Sequence, residues 1–210
     1  IEKLIITSTS ETYGSAQHIP MDEKHELVGQ SPYSASKIAA DQLSLSYNKS
    51  FGLPIKIVRP FNTFGPRQSA RAIIPSIISQ LIKSDTVQVG NLYPKRDFTY
   101  VRDTVSGFYE IASSDKLFGE VTNIGMNFSI SIKDLISIIA NIIGVNPYIK
   151  SDRKRIRAEQ SEVDNLVCDN SKILSETNWK PKYSIESALE ETIGWVKDNK
   201  SHFKSSIYNV

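Results

Sequence analysis

An α/β fold built on a mostly parallel sheet is predicted by three features of the sequence. Short β-branched runs recur at Leu4-Ile5-Ile6, at Ile55-Lys56-Ile57-Val58-Arg59 and at Glu120-Val121-Thr122-Asn123-Ile124. Longer segments with apolar residues three and four apart separate and follow them, at 33–50, 72–84, 103–113, 132–143 and 184–199. Glycine and proline punctuate the joins. Strands that alternate with helices of this length imply crossover connections and therefore parallel pairs covered by helices.

Taken in order, Leu4-Ile5-Ile6 reads as a buried strand. Such a strand directly after Ile1 leads us to expect that an N-terminal part of the protein precedes this chain. The small polar run Thr7-Ser8-Thr9-Ser10-Glu11-Thr12-Tyr13-Gly14 leaves the strand at its carboxyl end, where ligands gather in open α/β sheets. Residues 15–32 lack periodicity and read as a long surface loop, a feature often tied to function. Pro32 opens a helix over 33–50, which Gly52 and Pro54 stop. Ile55 to Arg59 form the second strand, closed by Pro60, and Phe61-Asn62-Thr63-Phe64-Gly65-Pro66-Arg67 is a turn-rich loop facing the same cleft.

The 72–84 stretch is an amphipathic helix that tolerates Pro75 only in its first turn. A short strand at Val87-Gln88-Val89 and the motif Lys95-Arg96-Asp97-Phe98-Thr99-Tyr100-Val101 follow, and Asp103 is the expected N-cap of a helix over 103–113. The third strand at 120–124 ends at Gly125. Ser131 with Asp134 starts an apolar helix that Gly144 ends. Tyr148 to Lys150 suggest a short strand, 151–169 a loop or substrate-reaching arm, 171–178 and 184–199 helices, and the last ten residues a loose tail.

Composition narrows the function classes. With 210 residues, 40% hydrophobic and 23% charged, the chain has ordinary globular content. Its formal charge of +2 and scattered basic residues give no nucleic-acid footprint. One cysteine, Cys168, excludes an internal disulfide framework and fits a reducing, cytoplasmic setting. No apolar run reaches the ~18 residues of a membrane span. His18, His25 and His202 lack metal-like spacing and read as surface residues.

The stretch with the most chemistry is Ser31-Pro32-Tyr33-Ser34-Ala35-Ser36-Lys37. Tyr33 and Lys37 share a helix face, and a nearby ammonium makes a phenol easier to ionise. In a chain with 9 tyrosines, chance supplies on the order of one such spacing, usually on a solvated face. The pair therefore depends on its neighbours.

Those neighbours are Thr9-Ser10-Glu11-x-Tyr13-Gly14, Pro32-Tyr33-Ser34-Ala35-Ser36-Lys37, Arg59-Pro60-Phe61-Asn62-x-x-Gly65-Pro66-Arg67 and Arg96-Asp97-Phe98-x-Tyr100-Val101-x-Asp103. In this order they resemble the extended short-chain dehydrogenase/reductase family, the NAD-dependent nucleotide-sugar epimerases and dehydratases. Within it, residues 59–70 and 162–172 are most similar to 4,6-dehydratases of nucleotide-linked N-acetylglucosamine of the legionaminic-acid type. The resemblance implies the C-terminal part of a Rossmann-type doubly wound parallel sheet with a smaller α/β substrate-binding domain. Residues 1–66 and 99–125 would belong to the cofactor domain, and 67–98 and 126–210 to the nucleotide-sugar domain.

It also implies roles. Tyr33 takes the proton of the sugar C4 hydroxyl while C4 gives a hydride to NAD, Lys37 and Pro60 adjoin the cofactor, and Thr9 hydrogen-bonds the phenol or the C4 oxygen. Glu11 removes the C5 proton acidified by the 4-keto group. Ser10, standing where hexose dehydratases carry an aspartate, relays a proton to the leaving C6 hydroxyl, and hydride returns to C6. Asn62, Arg96, Arg157 and Glu162 contact the substrate, with the arginines on the diphosphate. The substrate is a UDP- or GDP-linked N-acetylhexosamine, and the helix at 33–50 supports a homodimer. A 4-epimerase or a UDP-glucuronate decarboxylase of the same family is the alternative, and a non-catalytic sugar-nucleotide-binding module is the alternative of another class. None of the ten glycines forms the family's glycine-rich phosphate loop, so this chain alone is expected to bind NAD weakly and to lack turnover.

Overall fold

The computed structural model of the chain describes residues 1–152, 155 and 165–203. β1 (Leu4–Thr7) and β2 (Ile55–Pro60) lie parallel, Leu4 opposite Ile55 and Thr7 opposite Val58, and the crossover between them contains α1 (Pro32–Phe51). A parallel pair needs such a crossover because a tight turn reverses the chain. Every residue of β2 but the last is buried, Lys56 and Arg59 included. Lys56 Nζ donates to the carbonyl oxygens of Ile111, at 2.7 Å, and Ser114. Desolvation still lowers its pKa below the usual lysine value.

After β2 come β3 (Asn62–Phe64), α2 (Ile73–Lys83), β4 (Thr86–Val89), β5 (Lys95–Arg96) and β6 (Phe98–Tyr100). β3 and β6 pair in parallel, Asn62 opposite Phe98. The segment read as a turn-rich loop therefore holds a strand, because its partner lies more than thirty residues away and local sequence carries no trace of it. Gly65, just after β3, has φ 153°, and a Cβ there would stand 2.6 Å from Val101 Cγ1. Only glycine fits this close approach.

α3 (Val101–Ser113) packs on β2, and β7 (Val121–Ile124) completes a parallel sheet in the order β1-β2-β7. α3 begins two residues before the expected start, so Asp103 is not its cap. Asp103 is buried in the first turn and accepts from the backbone N–H groups of Lys182 (2.9 Å) and Tyr183 (3.3 Å). β8 (Ile130–Ser131) pairs antiparallel with β5. α4 (Ile132–Ile143) starts as expected, with Ser131 Oγ accepting from Asp134 N at 3.0 Å, and ends at Gly144. β9 (Tyr148–Ser151) runs parallel to β4, and α5 (Ser171–Glu176) and α6 (Ile185–Asp198) close the described chain.

Three apolar clusters hold these elements. The largest joins α2, β4, α4 and α6 through Ile77, Leu135, Ile139, Leu189 and Ile193, each fully or almost fully buried. Each such side chain contributes about 1.5–3 kcal/mol of transfer free energy. A second cluster sets Val58, Ile111 and Ile124 against Ile173 and Trp179. The third places Tyr13, Met21, Phe61, Leu166 and Cys168 beneath the segment that follows β1. That segment, 15–32, is not purely a surface loop: Met21 is fully buried and bridges to Cys168. His25 is buried too, contrary to the surface reading. Its Nε2 accepts from Gln17 N at 3.0 Å, and its ring meets Tyr13 edge-on. His18 is exposed, and the side chain of His202 lies outside the described residues.

α1 differs from the other helices. Of its 20 residues only Ser34 and Asp41 are buried, and Leu43, Tyr47 and Phe51 stand exposed. No helix among the described residues is long and apolar enough to cross a membrane. Among the same residues no cluster of His, Cys, Asp or Glu could hold a metal ion.

Candidate active site

The start of α1 is fixed locally. Ser31 Oγ accepts from Ser34 N at 3.1 Å while Ser34 Oγ accepts from Ser31 N at 2.9 Å, and Pro32 takes the first helical position. This reciprocal cap satisfies N–H groups that the first turn leaves open. It sets Tyr33 and Lys37 one turn apart on one face. Lys37 Nζ donates to Thr7 O at 3.1 Å, tying the helix to the carboxyl end of β1. Tyr33 is half exposed, and its hydroxyl makes no hydrogen bond among the described residues.

The polar run after β1 folds into a 3-10 turn, Ser10–Tyr13, that packs against α1. Thr9 caps it by accepting from Glu11 N at 3.2 Å. Ser10 is buried in this turn and Glu11 is exposed. Thr9, Ser10 and Glu11 are thus carried by one short turn that rests on the helix bearing Tyr33 and Lys37.

Behind the turn runs a buried polar network that sequence reasoning missed. Asp41 Oδ2 accepts from Ser8 Oγ at 2.8 Å and from Arg59 Nε and Nη2 at 3.1 and 2.8 Å. The Arg59 guanidinium lies over the Tyr13 ring, 4.8 Å from its centroid, and the Tyr13 hydroxyl donates to Asn123 Oδ1 at 2.7 Å. Burial pushes Tyr13 up to about 12 against the pull of Arg59. It stays a phenol at neutral pH, which leaves Tyr33 as the tyrosine open to solvent here. A signal for the network existed. A charge in an otherwise apolar strand, such as Arg59, needs a buried partner, and Asp41 sits one further turn along the Tyr33–Lys37 face.

The other expected site residues stand at the ends of the strands. Pro60 closes β2 opposite Ile124. Asn62 opens β3 half buried, with its Nδ2 enclosed and unpaired among the described residues. Arg96, on β5, borders a cavity of about 140 Å³ lined by Phe64, Phe98, Tyr100, Phe128 and Tyr183. Arg157 and Glu162 lie outside the described residues.

Asp97 was absent from the expected set. It is fully buried, and its carboxylate accepts from the backbone N–H groups of Met126 at 2.8 Å and Cys168 at 3.1 Å. Burial nevertheless raises it to about 6. A carboxyl between two larger residues of a strand-like motif reads as a surface group until the turn it holds is seen.

Known proteins share this fold. A UDP-glucuronate 4-epimerase of Thermodesulfobacterium geofontis is 33% identical over 208 residues, which is 98% of this chain and 62% of that protein. The crystal structure of a dTDP-glucose 4,6-dehydratase from Bacillus anthracis in complex with NAD superposes with a TM-score of 0.84 at 28% identity, over 96% of this chain and 64% of the other. A UDP-glucuronic acid 4-epimerase from Bacillus cereus, in complex with UDP-glucuronic acid and NAD, gives 0.86 at 29%, over 94% and 62%. The chain spans about 60% of the length of these relatives. Their likeness bears out the expected Rossmann-like parallel α/β sheet. With the family described as GDP-mannose 4,6 dehydratase matching residues 2–192, and both dehydratases and 4-epimerases among its relatives, the chain belongs to this family of extended short-chain dehydrogenases/reductases.

Proposed function

We propose that the chain carries the catalytic and sugar-binding part of an NAD-dependent nucleotide-sugar 4,6-dehydratase acting on a UDP- or GDP-linked N-acetylglucosamine. The observation that carries this reading is Glu11: an exposed carboxylate on a turn packed against the helix of Tyr33 and Lys37. Oxidation at C4 alone needs no such group, whereas removal of the C5 proton does.

The residues present fit a nicotinamide ribose. Lys37 has three N–H donors and gives one to Thr7 O, so two remain for a diol. Pro60 flanks the same strand ends. NAD, held there, would supply the hydride acceptor for C4 and the hydride donor for C6. Tyr33 takes the C4 hydroxyl proton, with its phenol unengaged by the protein, and Thr9 holds the C4 oxygen. Glu11 takes the C5 proton; once hydride reaches C6, C5 regains a proton from solvent, and the proton held by Tyr33 leaves to solvent. Ser10 passes a proton from Glu11 or water to the departing C6 hydroxyl, since a serine hydroxyl alone is a weak acid.

Asn62 and Arg96 contact the sugar and the diphosphate, joined by Arg157 and Glu162. Residues 1–66 and 99–125 form the cofactor part and 67–98 with 126–210 the nucleotide-sugar part. The exposed Leu43, Tyr47 and Phe51 of α1 pair with a second copy. A 4-epimerase is the second reading, favoured by the 33% identity to a UDP-glucuronate 4-epimerase.

The test joins this chain to the glycine-rich half of a relative, offers UDP- and GDP-N-acetylglucosamine and UDP-glucuronate, and reads product mass. Loss of one water is the expected result. An unchanged mass with inversion at C4 establishes the epimerase, and action only on a uronate, with loss of carbon dioxide, establishes the decarboxylase.

A further inference from the structure

We infer that the buried Asp41–Arg59 pair is a positioning pair for the reaction: it holds the turn that carries Glu11 in register with Tyr33 and Lys37, and so sets the C5 step against the C4 step. This rests on the dehydratase reading above and deepens it.

Both ends of the turn are fastened to this pair. Ser8, just before Thr9, donates its hydroxyl to Asp41 Oδ2 at 2.8 Å. Tyr13, the last residue of the turn, is fully buried with the Arg59 guanidinium 4.8 Å from its ring centroid. Arg59 Nε and Nη2 donate to the same Asp41 oxygen at 3.1 and 2.8 Å. Between these ends the turn closes on itself, Thr12 N donating to Thr9 O and Gly14 N to Glu11 O, both at 3.3 Å. Glu11 is exposed, yet the backbone that carries it is pinned on either side.

The helix is held from the same point. Asp41 follows Lys37 by four residues as Lys37 follows Tyr33, so the three lie along one face of α1. Eight residues of helix, about 12 Å at the usual rise, carry the position of Asp41 to Tyr33.

Arginine is suited to joining the two. Its planar guanidinium aims N–H groups at Asp41 within its plane and lays a flat face on the Tyr13 ring. A lysine keeps the charge beside Asp41 as a single point and gives up the face. The tip of Tyr13 is held separately, by its 2.7 Å bond to Asn123 Oδ1. Face and tip can therefore be cut one at a time. Loosening the face moves the exit of the turn, two residues from Glu11, while Tyr33 and Lys37 keep the Ser31 cap and the bond to Thr7 O. A shift of about 1 Å can cost on the order of 10²-fold in rate.

The experiment uses the enzyme completed with a relative's glycine-rich half and compares wild type, Arg59→Lys, Tyr13→Leu, Tyr13→Phe and the double variant Arg59→Lys/Tyr13→Leu. Movement of label from C4-deuterated UDP- or GDP-N-acetylglucosamine to the cofactor reads the C4 step, and entry of solvent deuterium at C5 reads the step of Glu11. Amide exchange at Thr12 and Gly14 reads the turn. Arg59→Lys and Tyr13→Leu are each expected to slow C5 entry roughly tenfold and to speed exchange at Thr12 and Gly14, while C4 transfer changes less than about threefold. Tyr13→Phe keeps the ring face and stays within about threefold of wild type in both steps, and the double variant loses no more than the larger single loss. Should Arg59→Lys fail to fold, Tyr13→Leu against Tyr13→Phe still decides. Equal losses in the two steps, no loss at C5, additive losses in the double variant, or Tyr13→Phe as slow as Tyr13→Leu overturn this inference and leave the dehydratase reading standing. A wild type with no deuterium entry at C5, whether or not C4 label moves, overturns the dehydratase reading and this inference with it.

Discussion

Asp41 and Arg59 form a buried ion pair, with Asp41 Oδ2 3.1 Å from Arg59 Nε and 2.8 Å from Nη2 and the two side chains 0% and 2% exposed. Asp41 comes from α1 and Arg59 from β2, and Ser8 Oγ adds a third bond to the same oxygen. The pair therefore joins the helix of Tyr33, the strand of Pro60 and the exit of β1 at one point. Removing one partner leaves the other charge buried and uncompensated, which costs about 3–5 kcal/mol. Asp41→Ala is expected to lose that much in urea unfolding, and Arg59→Met with Asp41→Leu together less than Asp41→Ala alone. An Asp41→Ala loss below about 1 kcal/mol, the range of an exposed pair, would contradict this account.

Asp97 sets a pH dependence whose sign follows from its raised value. Burial, against the pull of the Met126 and Cys168 backbone N–H groups, moves its carboxyl from 3.8 to about 6. A carboxyl raised in the folded state holds its proton more tightly there than in the unfolded chain. Its contribution is full below about pH 4 and is lost as pH rises to about 6. The loss amounts to about 3 kcal/mol at 1.36 kcal/mol per unit. Glu23, also raised by burial, adds in the same direction, whereas the thiol of Cys168 is pushed up, away from this window. Unfolding free energies of the wild type and Asp97→Asn measured from pH 4 to 7 isolate the effect. Parallel pH profiles for the two proteins would exclude it.

The contrast between α1 and Asp97 shows what the sequence makes legible. α1 begins and ends on local chemistry: the Ser31 cap, Pro32 in the first turn, and Gly52 at φ 65°. Such signals lie within a few residues and can be read directly. The same holds for Ser131 and Gly144 around α4. β3 was hidden because its strand character comes from β6, and Asp103 was misplaced because its acceptors serve N–H groups nearly eighty residues on. Within the site, the motifs pointed to Tyr33, Lys37 and the Thr9 to Glu11 turn. They could not point to Asp41 or Asp97, whose importance lies in which distant backbone and side-chain groups they satisfy once buried.

Tyr33 offers a clean separation of chemistry from stability. Its ring is half exposed, and its hydroxyl bonds nothing among the described residues. Tyr33→Phe is therefore expected to leave the melting temperature of the chain unchanged. In the enzyme completed with a glycine-rich half, turnover falls roughly 10²–10⁴-fold, the contribution of a positioned general base. Lys37→Met removes the bond to Thr7 O and is expected to weaken NAD binding as well as turnover. Unchanged turnover in Tyr33→Phe would show that another group takes the C4 proton.

Glu11 decides between the two readings of the family. Both would begin with loss of the C4 proton and hydride, the step proposed for Tyr33 and Lys37, which calls for no second base. A dehydratase must also break the C5–H bond, and for that the exposed Glu11 carboxylate is the group at hand on the 3-10 turn. Glu11→Gln keeps the size and the backbone N–H to Thr9 Oγ1 and removes only the basicity. In the completed enzyme, water loss should fall at least 10²-fold. Exchange of label from C4-deuterated substrate into the cofactor should continue, because it precedes Glu11's step. Solvent deuterium should enter C5 in the wild type and not in the variant. If instead C5 never exchanges in the wild type and Glu11→Gln inverts C4 at the wild-type rate, the carboxylate has no part in the reaction and the chain works as an epimerase.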